Sequence, residues 1–135
     1  VYKRQGLFEP VRDFAASHPV MGVCAGMIMM AGSVDDQRVT PLQLMSFRAL
    51  RNHYGRQVHS FTTGISLAFD RDGADFPAVF IRAPGVDELD SDIEVLATHA
   101  GEPVALQQGR YLALSFHPEL TRDPRIHAHW LRGDQ

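Results

Sequence analysis

Pro19-Val20-Met21-Gly22-Val23-Cys24-Ala25-Gly26-Met27-Ile28-Met29-Met30-Ala31 is the stretch whose reading decides the fold. Pro19 to Val23 reads as a short buried strand. Ala25 to Ala31 is apolar all round, which predicts a buried helix. Cys24 sits at the turn between them, with Gly22 and Gly26 two residues to either side. That is the cysteine form of a nucleophile elbow, in which a tight strand-to-helix turn pushes a reactive side chain clear of the sheet. A side chain at either glycine is expected to crowd the turn. A helix beginning at Ala25 turns its positive dipole end toward Cys24 and favours thiolate. Free cysteine is also among the most buried residue types, so from these residues alone the reactive and core readings weigh equally.

A second segment shifts the balance. Tyr111-Leu112-Ala113-Leu114-Ser115-Phe116 is an apolar run that reads as a buried strand, and His117-Pro118-Glu119 follows it. Open α/β sheets bind ligands outside the carboxyl ends of their strands. Cys24 and His117 thus stand at two strand ends that share a rim, with Glu119 near enough to orient the imidazole. A thiol, a base and a carboxylate make the generalised triad.

Working outward, Leu7 to Ala16 has helical spacing, with Pro10 either in its first turn or bending it. Gly32 to Arg38 reads as a loop, and Leu42 to Arg51 has room for a strand. Gln57 to Phe61 and Ile65 to Phe69 read as strands separated by Thr62-Thr63-Gly64. Asp70 to Asp75 imitates the opening of a calcium loop, but Gly73 comes too early and Ile81 stands where the terminal Glu belongs, so it reads as a polar turn. Pro77 to Arg82, Ile93 to Thr98, Val104 to Gln107 and Tyr111 to Phe116 read as strands, with a turn at Gln108-Gly109. Pro124 to Leu131 reads as a closing helix capped by Asp123.

The chain has 135 residues, 44% hydrophobic and 21% charged, with a net charge of −3. That suits one soluble globular domain and implies no attraction to nucleic acid or membrane. A lone cysteine allows no internal disulfide and fits a reducing compartment, so the cytoplasm is the expected location. His127 and His129 fall on different faces of a helix, so no metal site is expected there. His18, His53, His59 and His99 carry no motif and are read as structural.

Four segments carry a family resemblance: Pro19 to Ile28, Arg51-Asn52-His53-Tyr54-Gly55-Arg56-Gln57, Phe80-Ile81-Arg82-Ala83-Pro84, and Phe116-His117-Pro118-Glu119-Leu120-Thr121. In that order they resemble the glutaminase subunits of pyridoxal 5′-phosphate synthases, within the class I (triad) glutamine amidotransferases. The resemblance implies an α/β, flavodoxin-like fold: a mixed, mostly parallel central sheet flanked by helices, forming one glutaminase domain over residues 1–135. It implies Cys24 as nucleophile, His117 as base and acid, Glu119 as its orienter, and the Ala25 N–H in the oxyanion hole. Arg51, Ile81 and Arg82 fall where the family contacts L-glutamine, while Arg56 and Gln57 are read as local structure. No metal or organic cofactor is implied. The implied partner is a (β/α)₈-barrel pyridoxal phosphate synthase subunit that receives the ammonia. Val23 stands where Thr is expected, and His59 where an acid is usual.

Family members open with a strand-helix-strand unit, which needs ~30 residues or more and ends in a Gly-Gly-Glu-Ser motif that supplies a second oxyanion donor. The chain begins beyond that motif. It therefore reads as a fragment incomplete at its N-terminus, and little or no glutaminase activity is expected of it alone. Two further readings stay open: another Cys-elbow enzyme such as a γ-glutamyl hydrolase, and a non-catalytic subunit that binds the synthase.

Overall fold

The computed structural model describes residues 8–51 and 60–132. In chain order the elements are α1 (Phe8–Ala15), β1 (Val20–Val23), α2 (Ala25–Met30), β2 (Ser33–Val34), β3 (Arg48–Leu50), β4 (Phe61–Ile65), β5 (Phe76–Phe80), β6 (Gly85–Asp87), β7 (Glu94–His99), β8 (Glu102–Gln108), β9 (Tyr111–Leu114), a 3₁₀ turn (Pro118–Leu120) and α3 (Arg125–Leu131). The strand-helix reading around Cys24, the strand before His117 and both terminal helices hold to within a residue or two.

Three sheets form among the described residues, in the orders β1-β9-β8-β7, β2-β3-β6 and β4-β5. β1 pairs with β9 in parallel, as β2 does with β3, whereas β3/β6, β4/β5, β7/β8 and β8/β9 are antiparallel. The architecture is mixed α/β, but the expected parallel majority is not present among the described strands. Two-residue connections account for this at β7-β8-β9. Ala100 (φ 53°) and Gly101 (φ 80°) turn between β7 and β8, and Gly109 (φ 60°) turns between β8 and β9. Such turns join only antiparallel strands.

The four-stranded sheet is covered on both faces. Leu112 and Leu114 of β9 pack with Phe76, Phe80, Phe116 and Ile126, while Ala113 between them packs with Met27, Met30, Phe47 and Leu106. That alternation is the period-two geometry of a strand buried on both sides. Tyr111 adds a tie at the strand's start, its hydroxyl donating to the Ala15 carbonyl at the end of α1.

Four local expectations change. Thr62-Thr63-Gly64, read as a separator, lies inside β4, where Thr63 faces Ala78 and Gly64 faces Pro77. Gly64 is needed there because a Cβ would come within 2.9 Å of the Asp75 Cβ. The chain leaves β4 at Ile65 and turns, with Asp70 N–H donating to the Leu67 carbonyl, so no strand runs on to Phe69. Ser33-Val34, inside the expected loop, makes a short parallel pairing with Arg48-Ala49. Finally, α2 is not buried all round. Met27 and Met30 are fully buried, but Ala25 is exposed and Met29 lines an apolar groove of about 420 Å³ shared with Val11, Val20, Met21 and Leu42. The expected strand segment 57–59 and the motif residues 52–57 lie outside the described residues.

Candidate active site

The β1/β9 register sets the geometry. Val23 faces Leu114, and the Cys24 N–H extends the ladder by donating to the Leu114 carbonyl at 2.9 Å. Cys24 then turns sharply, with φ 54° and ψ −108°, before α2 begins. A non-glycine residue rarely holds a positive φ, and such strain clusters at functional sites. Gly22 permits the turn, since a Cβ there would lie 2.4 Å from the Met30 Sδ and 2.5 Å from the Gly26 carbonyl oxygen. The same expectation fails for Gly26, where a Cβ meets nothing within 4 Å. Its backbone lies against Gly22, but the direction a Cβ would take is open.

Across the rim, the His117 N–H donates to the Val79 carbonyl at 2.8 Å, tying the end of β9 to β5. Its imidazole bridges the other two residues. Cys24 Sγ lies 2.9 Å from His117 Nε2, and His117 Nδ1 lies 2.6 Å from Glu119 Oε2. A carboxylate at Nδ1 fixes that nitrogen as the donor, leaving Nε2 to accept from the thiol. The three side chains singled out in the sequence thus form one continuous contact chain.

The electrostatics differ from the expectation. Burial, and then the nearby Glu119 charge, push the Cys24 thiol up to about 11. The expected thiolate-favouring dipole, from a helix of only six residues, does not prevail over burial and the Glu119 charge. Besides His117, Sγ lies 3.5 Å from the Ser115 carbonyl and 3.6 Å from the Ile81 carbonyl. Glu119 moves the other way. Desolvation raises it, but the hydrogen bond from His117 and one from its own backbone outweigh this and hold its carboxyl below the usual range.

The remaining expected residues fall around this centre. Ala25 is the first residue of α2, and its N–H is among the helix-start donors that have no intrahelical acceptor. Ile81 and Arg82 follow β5 in an exposed loop, with Arg82 at φ 48°. Arg51 lies just past β3, whose Leu50 faces Gly85, the residue that follows the Ile81–Pro84 loop. Its guanidinium is held by Asp36, Nη1 to Oδ2 at 2.6 Å, and its N–H donates to Asp35 Oδ1 at 2.9 Å. Among the described residues it makes no hydrogen bond to Cys24, His117 or Glu119. Hydrogen bonds from Arg38 and then Arg51 keep the Asp36 carboxyl well below the carboxylate range.

The sequence reading missed the two carbonyls on Sγ, since backbone acceptors leave no trace in residue identity. It also missed Asp35 and Asp36, whose only signal is a pair of acids in a loop ahead of an arginine-bearing strand. Elsewhere, Asp70 to Gly73 is the expected polar turn, its Asp70 paired with Arg125 at 3.0 Å. His129 stacks on Phe69 and lies 2.8 Å from Gln107 Oε1, which gives it a structural role. No group of three metal-binding side chains occurs among the described residues.

Comparison with known proteins gives a consistent result. Residues 1–133 match the model of the SNO glutamine amidotransferase family. The chain is 45% identical over 136 residues to the pyridoxal 5′-phosphate synthase subunit PdxT of Thermococcus onnurineus, covering 96% of this chain and 67% of that protein. Against the PdxT of Halalkalibacterium halodurans the identity is 43% over 130 residues, covering 96% and 65%. Against that of Halobacterium salinarum it is 46% over 127 residues, covering 92% and 61%. The chain thus spans about two thirds of the length of these relatives. Among solved structures, a crystal structure of a glutamine amidotransferase superposes with a TM-score of 0.84 at 38% identity, covering 96% of this chain and 69% of that one. A Thermotoga maritima glutamine amidotransferase shares the fold at a TM-score of 0.58 and 15% identity, covering 95% and 52%.

Proposed function

The chain belongs to the SNO glutamine amidotransferase family, and from that premise we propose that it hydrolyses L-glutamine to glutamate and ammonia through Cys24, His117 and Glu119. The observation that carries this reading is the continuous Cys24 Sγ–His117 Nε2–Glu119 contact chain, 2.9 Å and then 2.6 Å.

The thiol starts protonated. As Sγ attacks the carboxamide carbon, its proton passes to Nε2, and Glu119 stabilises the imidazolium through Nδ1. The developing oxyanion meets the Ala25 N–H. Collapse of the tetrahedral adduct breaks the C–N bond, and the imidazolium gives its proton to the departing ammonia. A γ-glutamyl thioester remains on Cys24. Neutral His117 then takes a proton from water, which attacks the thioester and releases glutamate and free thiol. Arg51, Ile81 and Arg82 are assigned to substrate. A guanidinium suits the glutamine carboxylate because it donates two parallel hydrogen bonds; that of Arg51 is held by Asp36.

The relatives are named as pyridoxal 5′-phosphate synthase subunits. On that ground we assign the ammonia to a synthase subunit with a (β/α)₈ barrel, acting in the cytoplasm. No helix among the described residues is long and apolar enough to cross a membrane.

The test is ammonia release from glutamine by the purified protein with its synthase partner, for wild type and Cys24→Ser. Wild type is expected to turn over, and Cys24→Ser to fall to background. Turnover unaffected by Cys24→Ser overturns the assignment.

A further inference from the structure

Cys24 carries one proton, and three acceptors surround it: His117 Nε2 at 2.9 Å, the Ser115 carbonyl at 3.5 Å and the Ile81 carbonyl at 3.6 Å. Once His117 removes that proton, the sulfur is an anion facing two carbonyl oxygens, each carrying partial negative charge. The arrangement suits a resting thiol and opposes the thiolate that attacks substrate.

The two carbonyls are not equally able to move. Ser115 is fully buried, and its N–H donates to the Val104 carbonyl at 3.0 Å, continuing the β8/β9 pairing. Ile81 and Arg82 are exposed, belong to no strand or helix, and their shared peptide makes no loop backbone hydrogen bond among the described residues. Arg82 also holds φ 48°, a conformation that bulky side chains resist.

We infer that the Ile81–Arg82 peptide has two positions, and that turning it over replaces the Ile81 carbonyl at the Cys24 sulfur with the Arg82 N–H, a backbone donor for the reacting thiolate. Carbonyl and N–H lie on opposite sides of one planar peptide unit. Rotating that unit by half a turn changes ψ of Ile81 and φ of Arg82 together. It carries Arg82 from φ 48° to about −130°, the negative side that non-glycine residues prefer. The flip therefore relieves the Arg82 backbone and exchanges a repelling dipole for an attracting one at the sulfur. Substrate seated against Ile81 and Arg82 is the event that selects the flipped position. The inference rests on the reading of Cys24 as nucleophile.

Arg82→Ala and Arg82→Gly test it. Both remove the guanidinium, but glycine holds a positive φ without strain and alanine does not. Cys24 is the sole cysteine, so iodoacetamide alkylation followed by mass spectrometry at one fixed pH reads the sulfur directly. While the resting position dominates, the rate follows the flipped population. Alkylation is expected to be faster in Arg82→Ala than in Arg82→Gly by a factor of about 5 to 30. Equal rates, or the reverse order, overturn the inference. Should the glycine variant fail to fold, Arg82→Asn replaces it, since asparagine tolerates positive φ better than alanine. The order Ala above Asn then supports the flip, and equality overturns it. The glutaminase reading fails separately, by absence of glutamine turnover in the wild-type complex whatever the alkylation ratio.

Discussion

Glu119 is half exposed, yet its contact with His117 Nδ1 decides which ring nitrogen faces the sulfur. Glu119→Gln keeps the shape and loses the charge that stabilises the imidazolium. Its expected effect is a fall in kcat of about 10²- to 10⁴-fold with little change in KM, measured as steady-state ammonia release. Cys24 makes a separate prediction. Its thiol is pushed up to about 11 from an ordinary 9.0, so the free protein is expected to alkylate slowly at neutral pH and faster as the pH approaches that value. The folded state holds the proton that the unfolded chain gives up, so the contribution is complete below the ordinary thiol value and lost as pH rises through about 11. Wild type should lose stability relative to Cys24→Ser over that interval, read from urea midpoints. Residue identity and spacing singled out Cys24, His117 and Glu119 because a thiol, an imidazole and a carboxylate are side chains that a sequence names. The raised thiol was not legible, because it comes from burial by other segments and then from the Glu119 charge that the fold brings near.

The Cys24 turn depends on its two glycines unequally. Gly22 lies against α2, so Gly22→Ala forces a Cβ into Met30 and the Gly26 carbonyl. A loss of about 1 to 3 kcal/mol or more is expected, measured by denaturant unfolding. Gly26 has open space around its would-be Cβ, and Gly26→Ala is expected to hold or gain up to about 1 kcal/mol through better helix propensity. The sequence pattern made the two equivalent, since both flank the cysteine at the same distance. Only the packing of α2 on β1 separates them. The β4 misreading has a similar cause. Thr62-Thr63-Gly64 has the composition of a turn, yet its pairing with Val79, Ala78 and Pro77 makes it strand, a tertiary decision that local preference does not contain.

Over the whole molecule, the sheet that presents Cys24 and His117 is held between two apolar clusters. Phe116 is fully buried one residue before His117, in contact range of Phe76 and Phe80. Phe116→Ala is expected to cost about 3 to 5 kcal/mol by calorimetry or denaturant, and to reduce activity by loosening the base. The strand-helix order and the mixed α/β class were readable because continuous apolar runs mark strands buried on both faces. The share of parallel pairing was not, since it depends on which turns close hairpins. The Cys24–His117–Glu119 contact chain joins three parts of the fold: the β1-α2 turn, the segment that follows β9, and the 3₁₀ turn that carries Glu119. A glutamine-like diazoketone, an electrophile that needs a shaped glutamine pocket and an activated thiol, tests that assembly most directly. Applied to the protein with its synthase partner, it is expected to modify Cys24, to be blocked by excess glutamine, and to fail in His117→Ala. A protein that stays unmodified, or whose labelling ignores both glutamine and His117, contradicts the assignment of a glutaminase triad.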